Sequence, residues 1–131
     1  MPHLTLETSE NLRPLPPFRD LFGRLHQLLE SEAGIRIGNC KSRWRESAQF
    51  LVGAGGEGAA FAHLDIRFLE GRSHETRERV GSTALEILRD SFVGIPEGMD
   101  LQITVEIQEI QRSGYFKHPP GTLSPSPQKM V

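Results

Sequence analysis

Residues 60–68 have the sequence AFAHLDIRF, and this stretch decides the fold. Small or apolar side chains occupy every second position, and mostly polar side chains stand between them. Alternation with a period of two is typical of a β-strand that buries one face. The stretch therefore predicts a strand whose core-facing residues are Ala60, Ala62, Leu64, Ile66 and Phe68.

A helix and a further strand are predicted after this stretch. Glu70-Gly71-Arg72 forms a turn, and Ser73 is a suitable helix N-cap because its hydroxyl can accept a first-turn N–H. Apolar residues at helical spacing follow, and the helix closes near Gly94 and Pro96. The apolar residues are Val80, Ala84, Ile87 and Leu88. Leu101, Ile103, Val105 and Ile107 then alternate with polar residues and predict the second strand.

The first half of the chain repeats this unit. Leu4 and Leu6 alternate with Thr5 and Glu7 in a short strand, and a proline-rich loop covers residues 11–17. A helical stripe then runs to a stop at Gly34; its members are Phe18, Leu21, Phe22, Leu25, Leu28 and Leu29. Residues 35–52 predict a bent second strand. The glycine-rich residues 53–58 lack the ending of a phosphate-binding loop and predict a flexible turn between the halves.

Strand, helix and strand, twice over, predict an α+β fold. Connections of this kind favour parallel pairing within each unit and place both helices on one face of a four-stranded sheet. The other face is neither apolar enough for a core nor uniformly charged; it carries Phe61, His63, Asp65, Arg67, Thr104 and Glu106. A mixed face of this kind suits contact between copies of one chain, so we expect an oligomer.

Composition indicates one ordinary domain. The chain has 131 residues and a formal net charge of -2, which gives no electrostatic footprint for nucleic acid. No apolar run approaches the ~20 residues that cross a bilayer, and no signal-peptide pattern opens the chain. The single cysteine, Cys40, cannot form an internal disulfide. These features predict a cytoplasmic protein without a nucleic-acid or membrane partner.

Pro2 is the first candidate for chemistry. Removal of Met1, which a small second residue permits, would leave Pro2 with a free secondary amine on a rigid ring. An α-amino group titrates near ~8, and burial or neighbouring cations lower that pKa toward the range of a general base. A proline is equally tolerated at the start of an edge strand, so a purely structural role stays open.

Four basic residues are candidates for holding an anion. Lys41, Arg43 and Arg45 are spaced by two and share one face if their strand is regular. Arg72 lies in the turn before the second helix. Each alone is typical of a solvated surface, and a turn arginine is expected to contribute little to stability. Combined with a proline base, they predict a proton-transfer site for an anionic substrate.

Four segments carry a family resemblance. They are MPHLTLETSENL at the chain start, KSR at Lys41–Arg43, AFAHLDIRFLEGRSHETR at Ala60–Arg77, and VEIQEI followed by YFK at Tyr115–Lys117. On these segments the chain resembles the tautomerase superfamily, most closely the 5-carboxymethyl-2-hydroxymuconate isomerase family, and more distantly 4-oxalocrotonate tautomerase and macrophage migration inhibitory factor. The resemblance spans nearly residues 2–118.

The resemblance implies a homotrimer of the tautomerase fold without metal or organic cofactor. It implies that Pro2 moves a proton in a 2-hydroxymuconate-type di- or tricarboxylate, such as 5-carboxymethyl-2-hydroxymuconate, and yields the keto isomer during bacterial breakdown of homoprotocatechuate and related aromatics. Arg72 matches a family arginine that would bind a carboxylate or the 2-oxo oxygen. The other family arginine opens an Arg-Ser-Arg triplet; here Lys41 takes that position and Arg43 matches the second arginine.

Lysine keeps the charge of arginine but loses its planar fork, so Lys41 would bind a carboxylate less well. Two alternatives therefore stay open. One is a dehalogenase or hydratase of the same fold, which needs a carboxylate near the proline, with Glu7 and Glu106 as candidates. The other is a non-catalytic trimeric binding or scaffold protein.

The domain is predicted to cover residues 1–118, with half-repeats at about 2–52 and 58–110. Residues 119–131 are rich in proline and serine and predict a disordered end or an arm lying over a neighbour.

Overall fold

The computed structural model describes residues 1–125, and its elements follow the strand–helix–strand order twice. The elements are β1 (His3–Ser9), α1 (Phe18–Ala33), β2 (Lys41–Ser47), β3 (Ala59–Leu69), α2 (His74–Ser91) and β4 (Asp100–Ile110), with short 3-10 turns at Ile37–Asn39 and Arg112–Gly114. Residues 119–125 contain no helix or strand, and the rest of the predicted tail lies outside the described residues. Within residues 1–125, no helix combines the length and apolar character needed to cross a bilayer.

The four strands form one mixed sheet in the order β2-β1-β3-β4. β1 pairs with β2 in parallel and β3 pairs with β4 in parallel, as predicted for each unit. The two units meet through the antiparallel pair of β1 and β3, in which Leu6 stands opposite Leu64. The predicted α+β class and the four-stranded sheet are confirmed.

Both helices pack on the same face of the sheet, as predicted. The even-numbered residues of β1 and β3 point into this core, and Leu4, Leu6, Leu64 and Ile66 are fully buried there. Each such side chain contributes roughly 1.5–3 kcal/mol through its removal from water. The helices supply the opposite wall; its fully or almost fully buried members include Leu21, Leu25, Leu29, Val80, Ala84 and Leu88.

Two helix ends are defined by local chemistry. Gly34 has a φ of 66° and donates its N–H to Glu30 O at 3.1 Å, while Ile35 N donates to Leu29 O at 3.2 Å. This left-handed cap satisfies carbonyls that α1 would otherwise leave unpaired. At the start of α2, Ser73 Oγ accepts Thr76 N at 3.1 Å, which is the predicted N-cap bond. Both ends lie at the edge of the sheet where β1 begins.

The second strand is shorter than predicted. Residues 35–52 were expected to extend as one bent strand, but β2 covers only Lys41–Ser47. Ile35 is buried as part of the α1 cap, and the turn at Ile37–Asn39 separates it from β2. Phe50 lies beyond the strand, with its ring 6.4 Å from that of Phe61.

The face opposite the helices is polar. Lys41, Arg43 and Arg45 pair with His3, Thr5 and Glu7 of β1, so the three cations share this face as their spacing predicted. Across the sheet, His63 Nδ1 is 2.6 Å from Thr104 Oγ1, and His63 Nε2 is 3.6 Å from Glu106. We call this surface the open face.

Gly58 allows β3 and β4 to begin side by side. Its φ is 82°, and its carbonyl accepts Asp100 N at 2.8 Å. A Cβ at this position would overlap the Gly98 carbonyl oxygen.

The variant Gly58→Ala is expected to lower the free energy of unfolding by about 2 kcal/mol or more, because it combines a left-handed φ with a backbone overlap. Urea unfolding measures the change. Gly56→Ala is the matched control, since a Cβ there would meet nothing within 4 Å. Similar unfolding midpoints for the two variants would contradict this explanation.

Candidate active site

A cavity of about 200 Å³ opens beside the start of β1, between the end of α1 and the start of α2. Among residues 1–125, its lining includes apolar side chains and two arginines but no acidic side chain. The lining residues are Met1, Pro2, Gly34, Ile35, Arg36, Asn39, Phe68, Leu69 and Arg72.

Pro2 lies on the helix side of the sheet. It is buried, and its carbonyl accepts Lys41 N at 3.2 Å, so the first backbone bond between β1 and β2 holds it in place. The parity of the strand explains its direction, because Pro2 belongs to the same even-numbered set as Leu4 and Leu6. His3 consequently faces the other way.

The chain-start ammonium is held in a cationic environment. Met1 N donates to Asn39 O at 3.2 Å. Burial lowers the pKa of this group from its ordinary value of 8.0 to about 6, and the charges of Lys41 and Lys117 act in the same direction. The Met1 amine is therefore mostly uncharged at neutral pH, which is the form that accepts a proton.

Asn39 holds Lys41 and Lys117 near the Met1 amine through hydrogen bonds. Its carbonyl accepts Lys41 Nζ at 2.8 Å as well as the Met1 ammonium, and its side-chain Oδ1 accepts Lys117 Nζ at 3.3 Å. The two lysines thus stand near the amine, and neither forms an ion pair with a carboxylate of residues 1–125. Lys117 belongs to the YFK segment, but its role beside the chain start was not predicted. The contact joins residues 78 positions apart, so no local pattern reports it.

Arg72 lies in the cavity wall and is fixed by the backbone. Its Nε donates to Ala33 O at 3.0 Å and its Nη1 donates to Leu69 O at 3.3 Å. Its guanidinium carbon stands 5.6 Å from the centre of the Phe68 ring. Within residues 1–125, Nη2 of Arg72 has no hydrogen-bond partner, so this nitrogen is available to a ligand.

The structure brings together some of the predicted site residues and separates others. Pro2 and Arg72 line the same cavity. Lys41 is exposed at its margin, with its ammonium on Asn39 O. Arg43 lies on the open face, where it lines a different cavity of about 360 Å³. Within a single chain, therefore, the sheet stands between Arg43 and Pro2.

Arg43 is part of a hydrogen-bonded chain on the open face. Its Nη2 is 3.1 Å from His3 Nδ1, and His3 Nε2 is 3.0 Å from the Tyr115 hydroxyl. Because a guanidinium only donates, His3 Nδ1 accepts and Nε2 carries the proton. Burial, followed by the charge of Arg43, lowers the pKa of His3 and keeps the ring neutral, as this arrangement requires.

Two further residue types bear on the chemistry. Glu7 and Glu106, the carboxylates considered for water activation, lie on the open face and not in the Pro2 cavity; Glu7 accepts Ser47 Oγ at 2.6 Å. In the described part of the chain, no group of three His, Cys, Asp or Glu side chains is placed to hold a metal ion.

Arg36, which lines the cavity, was not predicted as a site residue.

The architecture is shared with tautomerase-fold proteins of known structure. A fused 4-OT protein solved as a symmetric trimer superposes with a TM-score of 0.64 at 18% identity, covering 85% of this chain and 87% of its own. At that identity the likeness concerns the fold. A 5-carboxymethyl-2-hydroxymuconate isomerase from Deinococcus radiodurans R1 superposes with a TM-score of 0.79 at 29% identity, covering 91% of this chain and 90% of its own.

The mixed sheet with both helices on one face is that of a tautomerase-fold protein. The 5-carboxymethyl-2-hydroxymuconate Delta-isomerase of Escherichia coli is 26% identical over 117 residues, which is 89% of this chain and 93% of that protein. The model of the 5-carboxymethyl-2-hydroxymuconate isomerase family matches residues 2–120. The chain belongs to this family, as the resemblance of its motifs indicated.

Arg72 has a structural role that its place in a turn does not reveal. Arg72→Ala removes the two bonds that fasten the last carbonyl of α1 and the end of β3, so the free energy of unfolding should fall by about 1–3 kcal/mol. This prediction differs from the expectation, drawn from the sequence alone, that a turn arginine contributes little, because the structure shows its two backbone bonds. Chemical denaturation measures the effect, with Arg24→Ala as control.

Arg24 is exposed and has one long ion pair, 3.8 Å to Asp90, so its replacement should change the free energy of unfolding by less than about 0.5 kcal/mol. If Arg72→Ala is as stable as Arg24→Ala, the two backbone bonds of Arg72 do not stabilise the fold.

Proposed function

We propose that this isomerase converts the enol form of a 2-hydroxymuconate-type carboxylate, such as 5-carboxymethyl-2-hydroxymuconate, into its keto isomer. The general base and acid is the secondary amine of Pro2, exposed when Met1 is removed. The observation that carries the proposal is the cavity at the chain start, where Pro2 lies with the cation Arg72 and where burial and nearby cations lower the pKa of the Met1 amine to about 6. The relatives from Escherichia coli and Deinococcus radiodurans, named for this isomerase, support the substrate class.

The reaction transfers one proton and needs one group that acts first as a base and then as an acid. The neutral Pro2 nitrogen takes the proton of the 2-hydroxyl group, and the carbon–oxygen bond becomes a carbonyl as the double bonds shift. The ammonium then gives a proton to a carbon of the conjugated chain, which is a 1,3- or a 1,5-transfer. No net proton is gained or lost. Negative charge that develops on the dienolate is stabilised by Arg72 Nη2 and by the lysines at Asn39.

An isomerase fits this cavity better than a hydrolytic reaction. A dehalogenase or hydratase of this fold would use a carboxylate beside the proline to activate water. Neither Glu7 nor Glu106 lines the Pro2 cavity, and no other acidic residue in the described part of the chain does. Proton transfer within the substrate needs only the amine and cations. Membership of an isomerase family also sets aside the non-catalytic scaffold alternative.

We also propose that the working form is a homotrimer in the cytoplasm and that it acts in the degradation of aromatic compounds such as homoprotocatechuate. The polar open face supports contact between copies, and the fused 4-OT neighbour is a symmetric trimer. Arg43 lies on this face, so a role for it in substrate binding requires the cavity of a neighbouring copy. The cytoplasmic location rests on the single cysteine.

Pro2→Ala tests the base. Mass spectrometry of the purified protein should show that Met1 is absent from both wild type and variant. The variant keeps a primary amine but loses the rigid ring, so kcat with 2-hydroxymuconate or its 5-carboxymethyl analogue should fall about tenfold or more in an ultraviolet assay. Pro96→Ala, at an exposed turn, should retain wild-type rates. Retained Met1, or equal rates in Pro2→Ala and wild type, would remove Pro2 from the mechanism.

Lys41→Gln tests the electrostatic poise of the amine. A nearby positive charge disfavours protonation, so its removal raises the amine pKa and moves the acid limb of the kcat/KM profile to higher pH. Lys117→Gln should shift the limb in the same direction by less, because Lys41 has the larger effect. Arg45→Gln, which is not among the cations acting on the amine, is the control. A limb that stays in place in Lys41→Gln would show that another group titrates.

A further inference from the structure

Arg36 is the second arginine of the Pro2 cavity, and nothing in the sequence motifs assigns it a role. The left-handed cap at Gly34 turns the chain sharply after α1, and Ile35 is buried against the core. The next residue, Arg36, therefore lies in the cavity wall. Arg36 and Arg72 are the charged side chains that line the cavity, and they belong to the same copy of the chain.

Arg72 and Arg36 differ in how many of their side-chain N–H groups already form hydrogen bonds within the chain. Arg72 uses Nε and Nη1 to hold backbone carbonyls. The Arg36 side chain is exposed and has neither a hydrogen bond nor an ion pair within residues 1–125. Its backbone carbonyl accepts Asn39 N at 3.0 Å, so its main chain is fixed while its guanidinium is not engaged. All five of its N–H donors are available to a ligand.

A muconate-type substrate needs a second cation at some distance from the first. It has carboxylates at both ends of a planar conjugated chain, and Arg72 Nη2 can meet only one of them. The other cations predicted to bind the substrate are poorly placed for this second carboxylate within one chain. Lys41 Nζ donates a hydrogen bond to Asn39 O, and Arg43 lies on the opposite face of the sheet. Lysine also lacks the fork that binds a carboxylate with two parallel bonds.

We propose that Arg36 binds a second carboxylate of the substrate and makes the enzyme selective for dicarboxylates. The proposal rests on the proposed function, because it assigns the far end of the same substrate. Arg36 supplies in one chain the planar fork that Lys41 lacks. Since this carboxylate takes no part in the proton transfer, the contact stabilises bound substrate and transition state alike, and its loss raises KM more than it lowers kcat.

The test compares Arg36→Gln and Arg36→Lys on two substrates that differ by one carboxylate. With the dicarboxylate 2-hydroxymuconate, Arg36→Gln should raise KM about tenfold, with kcat within about threefold of wild type. With the monocarboxylate 2-hydroxypenta-2,4-dienoate, the same variant should lower kcat/KM far less. Arg36→Lys, which keeps the charge without the fork, should fall between wild type and Arg36→Gln on the dicarboxylate.

Arg89→Gln is the matched control. Arg89 is an exposed arginine in the last turn of α2, whereas the cavity lies beside the first turn of that helix. If Arg36→Gln behaves like Arg89→Gln on the dicarboxylate, or impairs both substrates equally, Arg36 does not determine selectivity.

A binding measurement separates this proposal from the proposed function. Muconate without the 2-hydroxyl group cannot undergo enol-to-keto conversion, and calorimetry can report its Kd. Arg36→Gln should weaken muconate binding about tenfold relative to wild type, whether or not the enzyme turns over 2-hydroxymuconates. Wild type that binds muconate through Arg36 but isomerises no 2-hydroxymuconate would contradict the proposed function and support Arg36 as a dicarboxylate ligand. Equal Kd values in wild type and variant would overturn the role of Arg36.

Discussion

The antiparallel pairing of β1 with β3 is the constraint on which the rest of the structure depends. It fixes the even-numbered residues of both strands on the helix side, where Leu6 and Leu64 stand opposite each other in the core. A shift of one residue would turn every side chain to the opposite face, so burial of these leucines holds the register. The same register decides the direction of Pro2 and His3. Pro2 enters the cavity under the helices, and His3 joins the polar network on the open face.

The cavity exists because two helix ends and a strand start converge there. The end of α1 presents carbonyls, which carry partial negative charge and would favour a protonated amine. Arg72 takes the last of these, Ala33 O, and Asn39 directs its own carbonyl to Met1 N and Lys41. The surplus of positive charge that remains, together with burial, explains the depressed pKa of the chain-start amine. Arg72 thus holds two backbone carbonyls and also lines the cavity.

Much of this could be predicted from the sequence where the signal is local. The alternation of residues 60–68, the cap at Ser73 and the stop at Gly34 each specify their own element, and the structure contains them. Residues 35–52 lack such a regular alternation, so the predicted extent of β2 was wrong. The spacing of Lys41 and Arg43 predicted that they share one face of the sheet. Which of the two faces they occupy is known only from the register between β1 and β2. Lys117 meets the site only through the tertiary fold, because the segment after β4 returns to the chain start. Arg36 and Asn39 line the cavity because the Gly34 cap turns the chain after α1 toward the start of β1.

That returning segment binds both sides of the first strand. Tyr115 reaches His3 on the open face, while Lys117 reaches Asn39 beside the amine. The start of β1 is therefore held between the two faces, and the position of its amine depends on residues near both ends of the described chain. On the open face, Arg43 has only neutral partners, and Asp65 Oδ1 is buried without a hydrogen bond among residues 1–125. Burial, followed by the charge of Glu106, raises the pKa of Asp65 although Arg67 acts in the opposite direction, so a further cation nearby would stabilise the ionised carboxylate. Such a group is stabilised by a further surface that brings it a hydrogen-bond donor or a cation, which is the physical argument for the proposed assembly through the open face.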